Sequence, residues 1–203
     1  MFFVRKGAYL KLRRCSVRNL ELKVRCETME RLKSIEALAQ EHGASYLSTM
    51  EQRDTYFPVP RGRMKLRERW FKEQGGVKPA EAELIYYKRP GKTGSRISDY
   101  DVMPVSEPEL LCSMLTKALR ETLVIVEKER VLYVYKNTRI HLDTVKTLGP
   151  FVELETVIDE ALPMEEIKAE HQFVIIFLGL ELLQPIASSY SDLLLLKQKE
   201  RAG

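Results

Sequence analysis

The sequence is poor in cysteine and has no long apolar run. Cys15, Cys26 and Cys112 are odd in number and lack the spacing of metal ligands, which excludes a disulfide framework and a cysteine-based zinc site. We interpret them as free thiols in a reducing compartment, which favours the cytoplasm. No stretch is apolar for long enough to span a bilayer, so a membrane is not an expected partner.

Acidic residues are missing from the first twenty positions, which contain six Arg or Lys residues. This bias resembles that of a mitochondrial presequence, so mitochondrial localisation is an alternative to the cytoplasm. The segment is poor in serine and lacks a clean amphipathic period, which favours a basic N-terminal extension over residues 1–17. We expect one domain over residues 18–185, followed by a C-terminal helix over residues 186–203.

What the sequence does contain is a series of short segments in which charged and apolar residues alternate. Arg139, His141 and Asp143 share one face of a predicted strand, and Glu153 and Glu155 share a face in the segment that follows. Charged strand faces usually meet water. The pattern recurs along the chain, however, with more basic than acidic residues, which indicates a function for the charged faces.

The same alternation predicts strands over residues 18–26, 45–69, 83–89, 98–102 and 123–135. Helices are predicted from Thr28 to Gly43, from a capping box at Ser106 and Glu109 to Arg120, from Pro163 to Gly179, and over residues 189–199. Residues 72–82 and 90–94 are predicted to be loops. About eight strands and four helices indicate an α+β protein, a closed eight-stranded antiparallel β-barrel with a charged lumen and helices packed outside. An open sheet with a solvated charged face is the alternative.

Such a barrel would bring many cations into one lumen. They are Lys23, Arg25, Lys65, Arg67, Lys88, Lys128, Arg130 and Arg139, and the carboxylates beside them are Glu21, Asp143, Glu153 and Glu155. Burying so many unpaired cations is prohibitively unfavourable, so they require a multivalent anion, and a polyphosphate chain suits both Arg and Lys. The clustered carboxylates suit a hard divalent cation, Mg²⁺ or Mn²⁺.

The segment Asn19-x-Glu21-x-Lys23 resembles the N-terminal signature of the CYTH family, the triphosphate tunnel metalloenzymes. This family includes class IV adenylyl cyclases, thiamine triphosphatases and inorganic triphosphatases. Further matches follow in the same order, at Asp54-Thr55-Tyr56-Phe57, Lys65-Leu66-Arg67, Tyr87-Lys88 and Lys128-x-Arg130. Residues 139–143 together with residues 148–155 resemble the cyclase branch. The resemblance covers about residues 18–185.

The resemblance implies an eight-stranded barrel, a bound triphosphate and one or two Mg²⁺ or Mn²⁺ ions. By position, it implies that Glu21, Glu153 and Glu155 are metal ligands. It further implies catalytic roles for Asp143, as a metal-binding or base residue, and for Glu153. The implied phosphate-binding residues are Lys23, Lys65, Arg67, Lys88, Lys128, Arg130 and Arg139.

Asn19 departs from the family's usual Glu-x-Glu-x-Lys pattern, because an amide stands where the first carboxylate is expected. The loss of one anionic ligand would weaken a two-metal site most. A non-catalytic protein that binds a triphosphate or polyphosphate is therefore one alternative function.

We expect divalent-metal-dependent binding and hydrolysis of a triphosphate-containing small molecule, with a class IV-type adenylyl cyclase as a further alternative. Both reactions need the same phosphate cradle and differ in which phosphorus atom reacts. Binding of single-stranded RNA on an open basic sheet is a third reading, but the carboxylates among the cations argue against it. Nucleic acid is therefore not an expected partner, whereas a homodimer is compatible with the sequence.

Overall fold

The computed structural model describes residues 17–73, 76–77, 81–88 and 96–202. The expected basic extension, apart from Val17, and the expected turn over residues 90–94 lie outside the described residues. Within them the chain is α+β, as predicted, with long antiparallel strands and four helices. The division into an extension, a domain and a C-terminal helix stays a prediction.

The strands of the described residues are β1 (Val17–Arg25), β2 (Ser45–Phe57), β3 (Arg63–Glu73), β4 (Gly76–Val77), β5 (Glu81–Lys88), β6 (Arg96–Val105), β7 (Val124–Tyr135), β8 (Thr138–Val145) and β9 (Gly149–Val157). The helices are α1 (Met29–Glu41), α2 (Pro108–Leu119), α3 (Met164–Phe177) and α4 (Tyr190–Ala202), with a 3-10 turn at Leu180–Leu182. The short strand β4 lies inside the expected loop over residues 72–82. None of the described helices is both long and apolar enough to cross a membrane.

The helix N-termini follow local chemistry, with one departure from expectation. Thr28 caps α1 by accepting a hydrogen bond at 3.2 Å from the amide three residues later, as predicted. The predicted capping box at Ser106 and Glu109 is wrong, because Glu107 occupies the N-cap position and makes no side-chain cap bond. Pro108 accounts for the shift, since its fixed φ favours the first position of a helix.

All the strands join one antiparallel sheet, in the order β2-β7-β8-β9-β1-β6-β5-β3-β4. Strand β2 also pairs with β3, from Thr49 opposite Lys72 to Phe57 opposite Met64. The sheet therefore curls around its charged face.

The curled sheet is open along part of the seam between β1 and β6. The last pair of this ladder among the described residues is Glu21 with Arg96, whereas the ladder between β1 and β9 continues to Arg25. Beyond Glu21, among the described residues, the edge of β1 meets a connecting segment in which Pro185 bridges to Val24. Proline has no N–H to extend a ladder. The prediction of a fully closed eight-stranded barrel is therefore wrong, and the sheet is a curled, open one.

The outer face of the curled sheet is apolar and is covered by helices. Side chains of β1, β8 and β9 pack there against α1 and α3. The strand residues of this core are Leu22, Val24, Ile140, Leu142, Val152 and Leu154, and the helix residues include Leu32, Ile35, Ala39, Val174 and Ile175. The predicted placing of helices on the outer surface is confirmed for α1 and α3, and the alternating charged residues are thereby directed to the inner face.

His171 gives the helix-covered side a pH dependence. The ring belongs to α3, is 2% exposed, and its Nδ1 lies 2.8 Å from the hydroxyl of Thr156. Burial lowers the pKa of His171 from 6.5 to about 4. Between these two values the unfolded chain binds a proton that the folded protein excludes. The free energy of unfolding therefore decreases as the pH falls from 6.5 towards 4.

We expect His171→Gln to remove this contribution, which amounts to about 3 kcal/mol over the full window at about 1.4 kcal/mol per pH unit. Urea denaturation at several pH values between 4.5 and 7.5 measures it in both proteins. Parallel losses of stability in the wild type and the variant would show that His171 does not titrate in this way.

Candidate functional site

The inner face of the curled sheet carries buried charges that pair with one another. Lys23, Lys65, Lys128 and Arg130 are each no more than 6% exposed. The other charged or ionisable members of this face include Arg67, Arg139, Glu21, Asp54, Asp143, Glu153, Glu155 and His141. An unpaired charge in such a place costs several kcal/mol, so the strand register that brings cations opposite carboxylates is essential.

Asp143 is the most enclosed carboxylate of the inner face, with no exposed surface. It lies opposite Arg130 in the β7–β8 ladder and accepts two bonds of 2.6 Å from its guanidinium. Lys128 donates to it at 2.8 Å and the hydroxyl of Tyr190 at 2.9 Å. Burial alone would raise the pKa of Asp143, but Arg130 and Lys128 outweigh it and hold the pKa well below its usual range. Asp143 therefore stays ionised and fixes the positions of both cations.

Asp54 forms a second, similar cluster on β2 and β3. Arg67 lies opposite it and donates two bonds of 2.7 and 2.8 Å, while Lys65 donates at 2.8 Å. Burial opposes ionisation of Asp54, but these two cations keep its pKa well below the usual value. Burial, together with Arg67, lowers the pKa of Lys65 from 10.5 to about 7. Lys65 therefore titrates close to neutral pH.

His141, Glu153 and Glu155 form a compact group on β8 and β9. One potential ligand atom from each lies within 4.8 Å of the other two. The Nδ1 atom of His141 is 3.8 Å from Oε1 of Glu155 and 4.0 Å from Oε2 of Glu153, which is beyond hydrogen-bond distance. This atom is buried and has no hydrogen-bond partner. The three side chains are placed to hold a metal ion between them.

The carboxylates of this group are also neighbours of cations. Two cations lie against Glu153, Lys23 at 3.2 Å and Arg130 at 3.0 Å. Arg139 donates a hydrogen bond to Glu155 at 2.8 Å. Burial raises the pKa of Glu153, but Lys23 and Arg130 hold it well below its usual value. Burial also raises the pKa of Glu155, but its neighbours His141 and Arg139 outweigh burial and lower this pKa to about 2. Both carboxylates are therefore ionised at neutral pH and competent as ligands.

The C-terminal helix α4 covers one end of the inner face. The ring of Tyr190 lies 4.0 Å from the ammonium of Lys23 and 4.9 Å from that of Lys128. On the other side Arg63 holds the start of α4 through Asp192, with an N–O distance of 2.9 Å. Leu193, Leu194 and Leu195 pack against an apolar cluster that contains Phe151, Val126 and Val145. The charged part of the inner face is thus bounded by an apolar floor at this end.

The remaining expected site residues lie at the margins of these clusters or away from them. Glu21 is opposite Glu155 in the β1–β9 ladder and accepts a hydrogen bond from Tyr100. Asn19 is buried, and with its amide oxygen turned towards Arg139 it accepts a bond of 3.1 Å. Lys88 is exposed at the end of β5, so the structure does not place it with the other cations.

The roles of three residues at this site do not follow from the sequence pattern. Asp54 belongs to a motif that resembles the family and shares a strand face with Tyr56, but neither feature indicates its pairing with Lys65 and Arg67. His141 was recognised as sharing a face with Arg139 and Asp143, but not as a neighbour of both glutamates. Tyr190 lies 47 residues after its partner Asp143, and nothing in the sequence pattern indicates their contact.

Comparisons with known proteins agree with this fold. A family model of the CYTH domain matches residues 18–180. The PH1012 protein from Pyrococcus horikoshii OT3 is structurally similar, with a TM-score of 0.67 and 24% sequence identity, over 86% of this chain and 98% of its own. In sequence, no curated protein is significantly similar to the chain.

Two further solved structures are similar over most of both chains. A proposed adenylate cyclase from Vibrio parahaemolyticus has a TM-score of 0.64 at 15% identity, over 89% of this chain and 99% of its own. A proposed adenylyl cyclase from Hippeastrum, described as having a dominant triphosphatase activity, has a TM-score of 0.55 at 14% identity, over 90% and 96%. At such identities the likeness concerns the fold alone.

Proposed function

Because the chain belongs to the CYTH domain family, we propose that it binds a triphosphate-containing small molecule on its inner face and hydrolyses it with a divalent metal ion. The observation that carries this proposal is the pairing of a carboxylate–histidine group with buried cations on adjacent strands. Glu153 links the carboxylate–histidine group to the buried cations, since it contacts Lys23 and Arg130 and lies beside His141.

The residues present fit a metal ion. Glu153 and Glu155 supply ionised oxygens, and the buried Nδ1 of His141 has no hydrogen-bond partner. We assign the two glutamates as ligands of Mg²⁺ or Mn²⁺, with Glu21 next to them on β1. When bound, the ion supplies positive charge that stabilises an anionic phosphoryl group.

The cations supply the phosphate cradle. In the described structure, Lys23 and Arg130 lie against Glu153. A metal ion bound to Glu153 would neutralise that carboxylate, so that Lys23 and Arg130 could pair with phosphate oxygens instead. Arg binds such oxygens through two parallel hydrogen bonds, and Lys binds them as a point charge. We assign Lys65, Arg67, Lys128 and Arg139 to the same role. Lys88 is assigned at most to the rim.

Asp143 has a different role from the base or metal ligand that the family resemblance implies. Its two oxygens already accept bonds from Arg130, Lys128 and Tyr190, and it has no exposed surface. We assign it as a positioning residue that keeps two phosphate-binding cations charged and in place. Glu153 is the carboxylate assigned to the reaction centre.

Binding of the triphosphate is expected to weaken as the pH rises above neutral. Lys65 has a pKa of about 7 and Lys128 of about 8, both lowered by burial and by a neighbouring Arg, and each attracts an anion only while protonated. The affinity falls by up to about tenfold per pH unit for each proton lost. Calorimetry with tripolyphosphate and Mg²⁺ between pH 6 and 8.5 measures this slope. Lys65→Arg keeps its charge, so its curve should be flatter, and equal slopes would contradict the assignment.

The proposed reaction is tested by phosphate release from tripolyphosphate, ATP and thiamine triphosphate, with Mg²⁺, with Mn²⁺ and with EDTA. We expect release that requires the metal. Cyclic AMP and pyrophosphate from ATP, without phosphate release, would replace hydrolysis by the cyclase reaction. Binding of tripolyphosphate without turnover, seen as a rise in melting temperature, would identify a non-catalytic triphosphate-binding protein.

A further inference from the structure

We propose that His141 is a nitrogen ligand of the metal site. The site therefore prefers a divalent transition-metal ion such as Mn²⁺ to Mg²⁺. This inference rests on the proposed function, because it concerns the metal of the same site. It differs from the expectation from sequence, in which all the ligands are carboxylates and the ion is either Mg²⁺ or Mn²⁺.

The orientation of His141 is the first observation. The ring is 4% exposed, and its Nδ1 points at one oxygen of each glutamate, at 3.8 and 4.0 Å. These separations are too long for a hydrogen bond, and they suit three ligands around a common ion. Glu155 turns its Oε2 to Arg139 and its Oε1 to His141, so one oxygen faces the imidazole while the cation holds the other.

The isolation of this nitrogen is the second observation. Within the described part of the chain, Nδ1 of His141 is the one buried side-chain nitrogen or oxygen without a hydrogen-bond partner. A buried polar atom without a partner loses its hydration without compensation, so native structures rarely keep one without a reason. The buried His171 offers the contrast, because its Nδ1 lies 2.8 Å from a threonine hydroxyl. A hydrogen bond within the protein therefore satisfies the buried nitrogen of His171, whereas none satisfies that of His141.

Ligand chemistry gives the selectivity. Mg²⁺ prefers an octahedral shell of oxygens and keeps several waters. Imidazole is a poor ligand for Mg²⁺ and a better one for first-row transition-metal ions, among which Mn²⁺ binds it least tightly. A site of one imidazole and two carboxylates combines a nitrogen donor with two negative charges that balance the charge of a divalent ion. At Asn19 an amide stands in place of a carboxylate, and that amide faces Arg139. His141 thus supplies a donor to a site that has one carboxylate fewer than the family pattern.

The direct test is electron spin-echo envelope modulation of Mn²⁺ bound to the full chain. We expect a ¹⁴N coupling from one imidazole in the wild type, and its loss in His141→Gln. The other two histidines provide matched controls, since His42→Gln removes an exposed ring and His171→Gln a buried one outside the group. Both controls should retain the coupling. A wild-type spectrum of bound Mn²⁺ without nitrogen coupling would overturn the inference, whatever the variants do.

The selectivity is tested by calorimetric titration of the same proteins with Mn²⁺ and with Mg²⁺. The wild type is expected to bind Mn²⁺ more tightly than Mg²⁺. His141→Gln is expected to lose about 10- to 100-fold in Mn²⁺ affinity, because even the loss of a residue that only supports a metal ligand lowers affinity on that scale. The change in Mg²⁺ affinity should be much smaller. An unchanged ratio of the two affinities in His141→Gln would overturn the inference.

Failure of this inference is distinguishable from failure of the proposed function. Metal-dependent phosphate release without any nitrogen coupling removes His141 from the ligand set and leaves the triphosphatase intact. Nitrogen coupling without phosphate release or triphosphate binding supports the ligand assignment and removes the proposed reaction.

Discussion

Glu153→Gln is expected to lower metal-dependent phosphate release by at least about 100-fold, because a metal ion contributes several kcal/mol to stabilising transition-state charge and an amide is a much poorer ligand than a carboxylate. Glu153 belongs to the potential metal group and contacts two phosphate-binding cations, Lys23 and Arg130. The change should reduce both metal affinity and turnover. Phosphate release from tripolyphosphate at saturating Mn²⁺, with kcat and KM determined separately, is the measurement.

The matched control for this prediction is Glu129→Gln. Glu129 lies on β7, is exposed, and pairs with the exposed Lys72 rather than with the inner face. We expect its activity to equal that of the wild type. The melting temperature of both variants separates loss of chemistry from loss of folding, since the amide oxygen of Gln still accepts bonds from Lys23. Wild-type turnover in a correctly folded Glu153→Gln protein would exclude Glu153 from the reaction centre.

Asp143→Asn is expected to lower the free energy of unfolding by about 3–5 kcal/mol, the usual cost of removing one partner from a buried ion pair. The change leaves the buried Arg130 and Lys128 beside a neutral amide, and Arg130 remains charged at any accessible pH. Urea denaturation without ligand measures the loss. Tripolyphosphate should restore part of it, because a ligand that binds the folded state stabilises that state by mass action.

Glu127→Gln serves as the surface comparison for Asp143→Asn. Glu127 pairs with Lys146 at 2.8 Å, but 38% and 71% of their side chains are exposed. Exposed ion pairs contribute less than about 1 kcal/mol, so this variant should be nearly as stable as the wild type. Similar losses in the two variants would show that the Asp143 cluster stabilises no more than an exposed pair.

Period-two alternation predicted much of the sheet, because the face on which a strand residue lies depends on its immediate neighbours alone. It correctly placed Arg139, His141 and Asp143 together on β8, and Glu153 and Glu155 on β9. The opening of the sheet beside β1 was not predictable in this way. It depends on Pro185, which reaches the edge of β1 from more than 160 residues further along the chain.

The sequence by itself determined the α+β class, the apolar outer face and the shared inner face of most charged residues of the candidate site, because each follows from local periodicity. The tertiary structure decided which charges meet. Register placed His141 opposite Glu153, folding brought Tyr190 to Asp143, and the end of β5 left Lys88 exposed. Such contacts join residues far apart in the chain, and a shift of one residue in a ladder would exchange the faces of all of them. Their energies therefore depend on the whole sheet.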